Sequence, residues 1–340
     1  MRILIATDAW RPQINGVVRT YERLKVECSR LGHEVEFLTP TGFHTLPCPT
    51  YPEIRLALLR RRDAAHAMAV FAPDYVHVAT EGPIGLATRG HCLRIGKPFT
   101  TAYHTRFPEY VAARFPVPES WGYALERWFH NAGAGIMVAT PSLLIELKAK
   151  GLERLLPWSR GVDTAIFRPR AARVFGEGPV FLYVGRVAVE KNIGTFLALD
   201  LPGRKAVVGG GPQLEALRSA HPRTIFTGPL AGEALGEAYA SADVFVFPSR
   251  TDTYGVVLLE ALASGLPIAA FPVTGPLDIV TQGVVGFLDE DLRKAALQAL
   301  TVDRRACPDY ALSFSWEKCA RQFLDNLSQA HAAARHADAG

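Results

Sequence analysis

The chain has 340 residues, 49% apolar and 21% charged, with a formal net charge of +4. That is enough apolar material for sizeable buried cores, and the length fits two domains better than one. Five widely spaced cysteines (Cys28, Cys48, Cys92, Cys307 and Cys319) form no CxxC pair, which argues against a disulfide framework or zinc site and for buried thiols in a reducing compartment.

Along the chain, strand and helix patterns alternate, which predicts an α/β protein of parallel sheets with helical crossovers. MRILIATDAW gives a first strand over Arg2–Thr7. It lacks the apolar core and cleavage site of a signal peptide, so a cytoplasmic protein is expected. A loop with Pro12, Asn15 and Gly16 follows, then an amphipathic helix over Val17–Leu31 that Gly32 stops. Val35–Leu38, Tyr75–Val78, Phe99–Ala102 and Gly135–Ala139 are the next strands, completing one doubly wound domain. The segment Ser159–Pro169 reads as an exit loop and hinge. A second series then begins, with strands at Val180–Val184, Lys205–Val208, Ile225–Thr227, Val244–Phe247 and Ile268–Phe271. Leu258–Ser264 is its most apolar helix, closed by Gly265. Gly255–Leu277 is the longest candidate for a membrane span. Glu260, Gly265, Pro267, Pro272 and Gly275 interrupt it, so it is assigned to a helix, a turn and a buried strand. A last helix over Trp316–Leu327 is expected to cross back to the first domain, and the tail from Ala332 to fray. The expected domains are 1–167 with 316–340, and 168–315. Two such domains are expected to direct their strand C-terminal ends toward one cleft, where open α/β sheets bind ligands.

Charge is uneven. Residues 1–170 carry 22 Lys/Arg against 15 Asp/Glu, the remainder 15 against 18. A basic first half attracts phosphate, nucleic acid or an anionic membrane surface, although ordinary scatter accounts for it equally well. Nothing else favours nucleic acid, and no such partner is expected.

Chemistry concentrates after the strands. Gly185-Arg186 through Lys191-Asn192 puts two cations five residues apart on a loop entering a helix, a grip for a diphosphate. Fixed cations there would stabilise a departing nucleoside diphosphate, an effect on the order of 10²–10³ in rate per donor. Asp252 precedes a helix start, where the backbone N–H groups of Thr253, Tyr254, Gly255 and Val256 suit a phosphate or sugar oxygen. Asp252 reads equally as an N-cap. Glu260, two turns on among apolar neighbours, needs a polar partner, and a ribose diol supplies one. Gly16 at a helix entrance allows close backbone approach to a phosphate, though a plain turn explains it too. Gly209-Gly210-Gly211-Pro212 does not complete a dinucleotide fingerprint. His104, just past a strand end, suits a phosphate or a sugar hydroxyl, although a lone histidine more often serves structure. Asp289-Glu290-Asp291 has the spacing of a metal-binding DxD, but it opens a helix over Leu292–Leu300, and acids at a helix start explain it. No metal site and no cofactor is expected.

In order and spacing these segments resemble the retaining glycosyltransferases of family 4, which have the GT-B fold of two Rossmann-like domains with an inter-domain cleft. The likeness spans nearly the whole chain. Gly185–Asn192 is similar to the family's GR-x-x-x-EKN, Val208–Pro212 to its GxGP turn, and Asp252–Glu260 to its E-x7-E with Ala261–Pro267 behind it. Arg160-Gly161-Val162-Asp163 with Phe167 and Pro169 is similar to its hinge, and Ser315-Trp316 to the start of its returning helix. The likeness implies that Arg186 and Lys191 bind the diphosphate, with Gly185 at the head of their loop, and that Glu260 holds the ribose. It assigns Asp252 and the amides of 253–256 to the donor sugar and distal phosphate. Gly16 and His104 approach the donor from the first domain, and Phe226–Leu230, including Gly228 and Leu230, lies near the base. Asp252 stands where the family usually has Glu, a longer side chain.

Glu81-Gly82-Pro83, Tyr103-His104-Thr105 and Thr251–Gly255 are similar to the branch of bacterial glycolipid and mannosyl transferases, which implies a lipid acceptor. Phe107, Tyr110, Phe115, Trp121, Tyr123, Trp128 and Phe129, among Arg106, Arg114 and Arg127, suit a membrane interface, and Arg60-Arg61-Arg62 adds attraction to anionic lipid. Core aromatics and a solvated basic turn are the alternative. The reaction expected is transfer of a hexose from a UDP- or GDP-sugar to a lipid hydroxyl, with retention and without metal, by a cytoplasmic protein at the inner face of the membrane. A nucleotide-sugar epimerase or hydrolase of the same architecture, and a non-catalytic nucleotide-sugar binder, are the alternatives.

Overall fold

A computed structural model describes all residues except 12–15, 49–50, 113–115 and 338–340; the side chains at 48, 51–54, 110 and 337 are also outside the description. Pro12, Asn15, Arg114, Phe115, the side chain of Tyr110 and the last three residues therefore fall outside the described residues.

The chain forms two compact units, Met1–Arg160 with Trp316–Gly340, and Gly161–Ser315. In the first unit, β1 (Arg2–Ala6), α1 (Gly16–Arg30) and β2 (Glu34–Leu38) precede a hairpin of β3 (Thr45–Cys48) and β4 (Tyr51–Ala57). There follow α2 (Arg61–Phe71), β5 (Tyr75–Val78), α3 (Pro83–Ile95), β6 (Thr100–Tyr103), α4 (Phe107–Ala112), α5 (Glu119–His130), β7 (Gly135–Val138), α6 (Pro141–Ala149) and β8 (Leu155–Pro157). The main sheet is parallel, in the order β2-β1-β5-β6-β7-β8. Strands β1 and β7 are largely apolar because helices cover both faces, whereas the edge strand β2 alternates, with Glu34 and Glu36 exposed. Helix α1 turns Val18, Tyr21, Leu24 and Cys28 inward, and Gly32 closes it at φ +79°, where a side chain would be strained.

The second unit repeats the plan. It contains β9 (Val180–Val184), α7 (Ile193–Ala198), β10 (Arg204–Val208), α8 (Leu214–Ala220), β11 (Ile225–Gly228), α9 (Gly232–Ala240), β12 (Val244–Phe247), α10 (Val256–Ala263), β13 (Ile268–Ala270), α11 (Pro276–Ile279), β14 (Gly286–Leu288), α12 (Leu292–Ala299) and α13 (Ala306–Ala311). The parallel order is β11-β10-β9-β12-β13-β14. All of β9 and β12 is buried, so these strands read as continuous apolar runs without a polar face, and residues 258–263 of α10 are buried as an apolar run broken by Glu260. Each such Leu or Phe contributes roughly 1.5–3 kcal/mol by leaving water.

Helix α14 (Trp316–Ala337) belongs to the first unit. Trp316, Cys319, Ala320, Phe323 and Leu327 join Ile3, Tyr21, Leu24 and Trp158 in one core, and the Trp158 indole N–H donates to the Cys319 carbonyl (3.1 Å). The helix runs past the expected end at Leu327 and through most of the tail expected to fray, because Ala332, Ala333, Ala334 and Ala337 are strong helix formers.

The division between units falls before residues 161–167, which the sequence had placed in the first domain. These residues pack locally on the second unit. The Val162 amide donates to the Phe314 carbonyl (3.0 Å), and Phe167 stacks edge-on against Tyr239 at 5.6 Å. Cys28, Cys92, Cys307 and Cys319 are free and buried, whereas the side chain of Cys48 is not described.

Candidate functional site

In the second unit, strand order reverses between the adjacent strands β9 and β12. Loops leaving two such strands diverge and open a crevice at the strand C-terminal ends. Gly185–Asn192 leaves β9 and Pro248–Gly255 leaves β12, so both charged segments sit at this switch point.

Three contacts clamp the loops together. Lys191 Nζ pairs with Asp252 Oδ1, both side chains mostly shielded from solvent. The Asn192 side-chain amide donates to the Pro248 carbonyl (3.1 Å), and the Thr251 hydroxyl donates to the Glu190 carbonyl (3.3 Å). Asn192 itself is left-handed (φ +53°), a conformation Asn tolerates, and this turns the chain from a single 3-10 turn at Val189–Lys191 into α7.

Lys191 and Asp252, assigned to separate parts of a donor, thus hold each other. Only one oxygen of Asp252 is used: Oδ2 is buried without a hydrogen-bond partner. Such an atom costs about 1–3 kcal/mol until a donor reaches it. Arg186 is half-buried on the same loop, and its carbonyl accepts from the Tyr183 hydroxyl at 2.9 Å.

The glycine turn behind this loop has a steric explanation. A Cβ on Gly209 would lie 1.8 Å from the Gly185 carbonyl oxygen, and one on Gly211 would lie 2.4 Å from that of Val187. Backbone bonds fasten the two turns together: Gly185 to Val208 (3.0 Å), Val187 to Gly210 (2.8 Å) and Gln213 to Val187 (3.0 Å). Gly209 and Gly211 are therefore the packing surface of the cation-bearing loop, and Gly210 joins it through its carbonyl. Gly228 ends β11 at φ +77°, and its carbonyl accepts from the Gly209 amide; Leu230 follows, half-buried.

Helix α10 starts at Val256, immediately after Thr253, Tyr254 and a left-handed Gly255 (φ +79°). Glu260 lies on its buried side, 4% exposed, and accepts from the Tyr239 hydroxyl at 2.8 Å. Tyr239 was not singled out from the sequence. It is fully buried on α9, and locally nothing distinguishes it from a core aromatic.

The other two candidates lie in the first unit. Gly16 opens α1 and is exposed, with open space where a Cβ would project. His104 follows β6 with both ring nitrogens engaged: Nε2 lies 2.8 Å from the Tyr21 hydroxyl and Nδ1 lies 3.3 Å from Arg160 Nη2. The histidine expected to point at a sugar or phosphate is thus built into its own unit. Burial first, then the Arg160 cation, holds its pKa well below the ordinary histidine value, so the ring is neutral.

Two family models match the chain: Glycosyltransferase Family 4 over residues 14–166, and Glycosyl transferases group 1 over residues 178–302. A GDP-mannose-dependent alpha-mannosyltransferase of Mycobacterium tuberculosis is 31% identical over 315 residues, 85% of this chain and 83% of that protein. The chain belongs to glycosyltransferase family 4. This family-4 transferase is also 27% identical, over 88% of its length and 78% of the other's, to an alpha-monoglucosyldiacylglycerol synthase of Streptococcus pneumoniae. Its GT-B fold is shared with sucrose-phosphate synthase from Thermosynechococcus elongatus, at a TM-score of 0.80 and 20% identity over 98% of this chain and 99% of that one.

The acids of the family-4 transferase that mimic a metal motif are structural. Asp291 caps α12 by accepting from the Arg293 and Lys294 amides (3.0 and 3.2 Å). Asp289 pairs with Lys294 at 2.6 Å, and Glu290 with Arg250 at 2.9 Å. Among the described residues, Glu81, Glu126 and His130 are the group whose ligand atoms come within 4.8 Å of one another. His130 Nε2 lies 3.2 Å from Glu81 and 3.0 Å from Glu126. Burial alone would lower its pKa, but the two carboxylates outweigh burial and raise it to about 9. The imidazolium is itself the cation of this group. Glu81-Gly82-Pro83 also meets Asp8, whose carboxylate accepts from the Ile84 amide (2.9 Å) and would collide with any Cβ at Gly82 (2.4 Å).

Proposed function

We propose that this glycosyltransferase moves a hexose from a UDP- or GDP-sugar to a hydroxyl of a lipid, with retained anomeric configuration and without a metal ion. One observation carries the reading: a lysine–carboxylate pair clamps the β9 and β12 loops at the switch point, and the second carboxylate oxygen is buried without a donor. A sugar hydroxyl satisfies that oxygen, and a diphosphate beside it meets Lys191 and Arg186. Asp252 thus serves two partners, fixing the lysine and accepting from the donor sugar. Glu260, oriented by Tyr239, takes the ribose. Gly16 and His104 are assigned to the same reaction by the family likeness.

In the step itself the C1–oxygen bond to the diphosphate breaks, and the acceptor oxygen bonds C1 on the same face. The acceptor proton passes to the departing phosphate oxygen. Arg186 and Lys191 stabilise the charge that grows on the diphosphate. The relative named for its GDP-mannose dependence and the one named as a diacylglycerol glucoside synthase support the donor and acceptor classes.

An exposed stripe in the first unit supports membrane-surface work. Trp121, Leu125 and Trp128 share one face of α5, with Phe107 and Val111 exposed on the neighbouring α4. No helix among the described residues is long and apolar enough to cross a membrane. Attachment at the inner membrane surface through this stripe is part of the proposal.

The test is incubation with a panel of UDP- and GDP-sugars and a bacterial lipid extract, with and without excess chelator. Mass spectrometry is expected to show a lipid gaining one hexose in both conditions, and NMR an anomeric configuration matching the donor. Donor consumed or isomerised without any acceptor product would overturn lipid transfer. Loss of transfer in chelator would overturn metal independence.

A further inference from the structure

A polar chain in the first unit has a hydrogen-bond direction fixed by its end member. Arg160, 4% exposed, has donors only. Its Nη1 donates to the carbonyls of Trp158 and Ser159 (2.7 and 3.0 Å), and its Nη2 lies 3.3 Å from His104 Nδ1. That nitrogen must accept, so the neutral ring carries its proton on Nε2. Nε2–H therefore donates to the Tyr21 oxygen, 2.8 Å away. Tyr21 has a single hydroxyl hydrogen and passes it toward His77 Nε2 at 2.9 Å. His77 is then protonated on Nδ1, which donates to the Thr100 hydroxyl oxygen at 2.8 Å.

Packing keeps these groups in register. Trp158 contacts the Tyr21, His77 and His104 rings at centroid distances of 5.9, 6.1 and 6.1 Å, and Phe323 closes on His77 at 5.1 Å.

We infer that Arg160, Tyr21 and His77 are positioning residues for His104, fixing it as the Nε2–H tautomer in the transferase site, with His77 locked in the opposite tautomer. The inference rests on the assignment of His104 to sugar transfer. Arg160 is also the last residue before the second unit begins, so the passage of the chain between units is tied to the histidine's proton. His104 then acts as a fixed dipole and not as an acid or base. The groups that bear on its charge are Arg160, His77 and His130, with the Tyr21 hydroxyl against Nε2. Burial and Arg160 also push His77 down to about 3, so both rings stay neutral across the working range.

The test uses the full chain labelled with ¹⁵N-histidine. Long-range ¹H–¹⁵N spectra from pH 5.5 to 8.5 are assigned with His104→Gln and His77→Gln. The wild type is expected to show His104 neutral with Nε2–H and His77 neutral with Nδ1–H throughout. Two histidines of the same tautomer, or a charged His104 at pH 7, overturns the inference. Tyr21→Phe should release the His77 tautomer, leave His104 as Nε2–H, and lower kcat about tenfold at unchanged donor KM. Arg160→Met should let the His104 tautomers mix, seen as a second, Nδ1–H signal, and lower kcat, and Arg160→Lys should restore both. A purely structural role would produce neither the mixed signal nor its rescue. The expected tautomers together with unchanged kinetics in every folded variant would overturn the positioning role, and would place the fault in the assignment of His104 to sugar transfer.

Discussion

Lys191 and Asp252 show how little a residue type says about its partner. The sequence marked both, but as separate contacts to a donor. The structure joins them, because the loops that carry them leave neighbouring strands 61 positions apart in the chain. Lys191→Ala and Arg186→Ala are expected to lower kcat by about 10²–10³, or about 3–4 kcal/mol, with an unchanged near-UV spectrum. Near-wild-type rates in either would remove the diphosphate grip. Asp252→Asn keeps the shape and loses the charge that holds Lys191, so donor KM and kcat should both worsen; an unchanged pair of constants would argue against the clamp. Glu260 was legible because an acid among Leu258, Leu259 and Leu262 needs a partner. That partner, Tyr239, was not legible, since the sequence does not show which group a buried tyrosine hydroxyl reaches. Arg160 was visible only as part of a hinge motif, and Tyr21 only as an apolar face of α1.

The histidines also set a pH dependence of stability. His130 is raised to about 9, so its contribution is complete below the ordinary value of 6.5 and is lost as pH climbs toward 9. His77, near 3, and His104 are lowered, so theirs is complete above 6.5 and is lost as pH falls. Stability is expected to peak near pH 6.5, each limb sloping by up to about 1.4 kcal/mol per pH unit per proton. Calorimetry of His130→Gln should show the alkaline limb flattened; a limb as steep as the wild type's would clear the triad of responsibility.

Among elements, buried strands were the most legible. Tyr75–Val78, Val180–Val184 and Val244–Phe247 have the bounds their apolar runs predict. The β3–β4 hairpin was missed because Pro47 and Pro52 break its alternation, and β8 and β14 because three residues are too few for a period. The Gly209–Gly211 turn was noticed, but its purpose was not, since backbone approach to Gly185 and Val187 leaves no mark in either segment. Gly209→Ala should force that loop away and raise donor KM about tenfold or more, while Gly194→Ala, with space for its methyl, should leave donor KM unchanged. Equal effects of the two would contradict the packing role. On α5, Trp121 is 70% and Leu125 61% exposed. Replacing both with Ser is expected to weaken binding to anionic vesicles about tenfold or more with no fall in Tm. Undiminished vesicle binding would move the membrane contact elsewhere.

At the scale of the whole chain, alternation of strands and helices announced two parallel-sheet units. Its limit was the boundary, because residues 161–167 carry no sign of which core they join. The return of the last helix was expected because an apolar helix follows the completed second sheet, and the resemblance to a family agreed with it. Truncation after Ser315 should abolish cooperative unfolding of the first unit and leave that of the second, read as the loss of slow amide exchange in β1 and β5 but not in β9 and β12. Protection retained in both sheets would make α14 dispensable. The same helix reverses the order in which the molecule can be finished. Residues 161–315 contain everything their unit needs, whereas the sheet begun at Arg2 lacks Phe323 and Leu327 until the final helix has cleared the ribosome. During synthesis the unit that starts first must wait, with Tyr21 and Trp158 uncovered, for the unit that starts second. A nascent chain stalled with residues 161–315 outside the ribosome and α14 still inside it would therefore present its older half, and not its newer one, to chaperones.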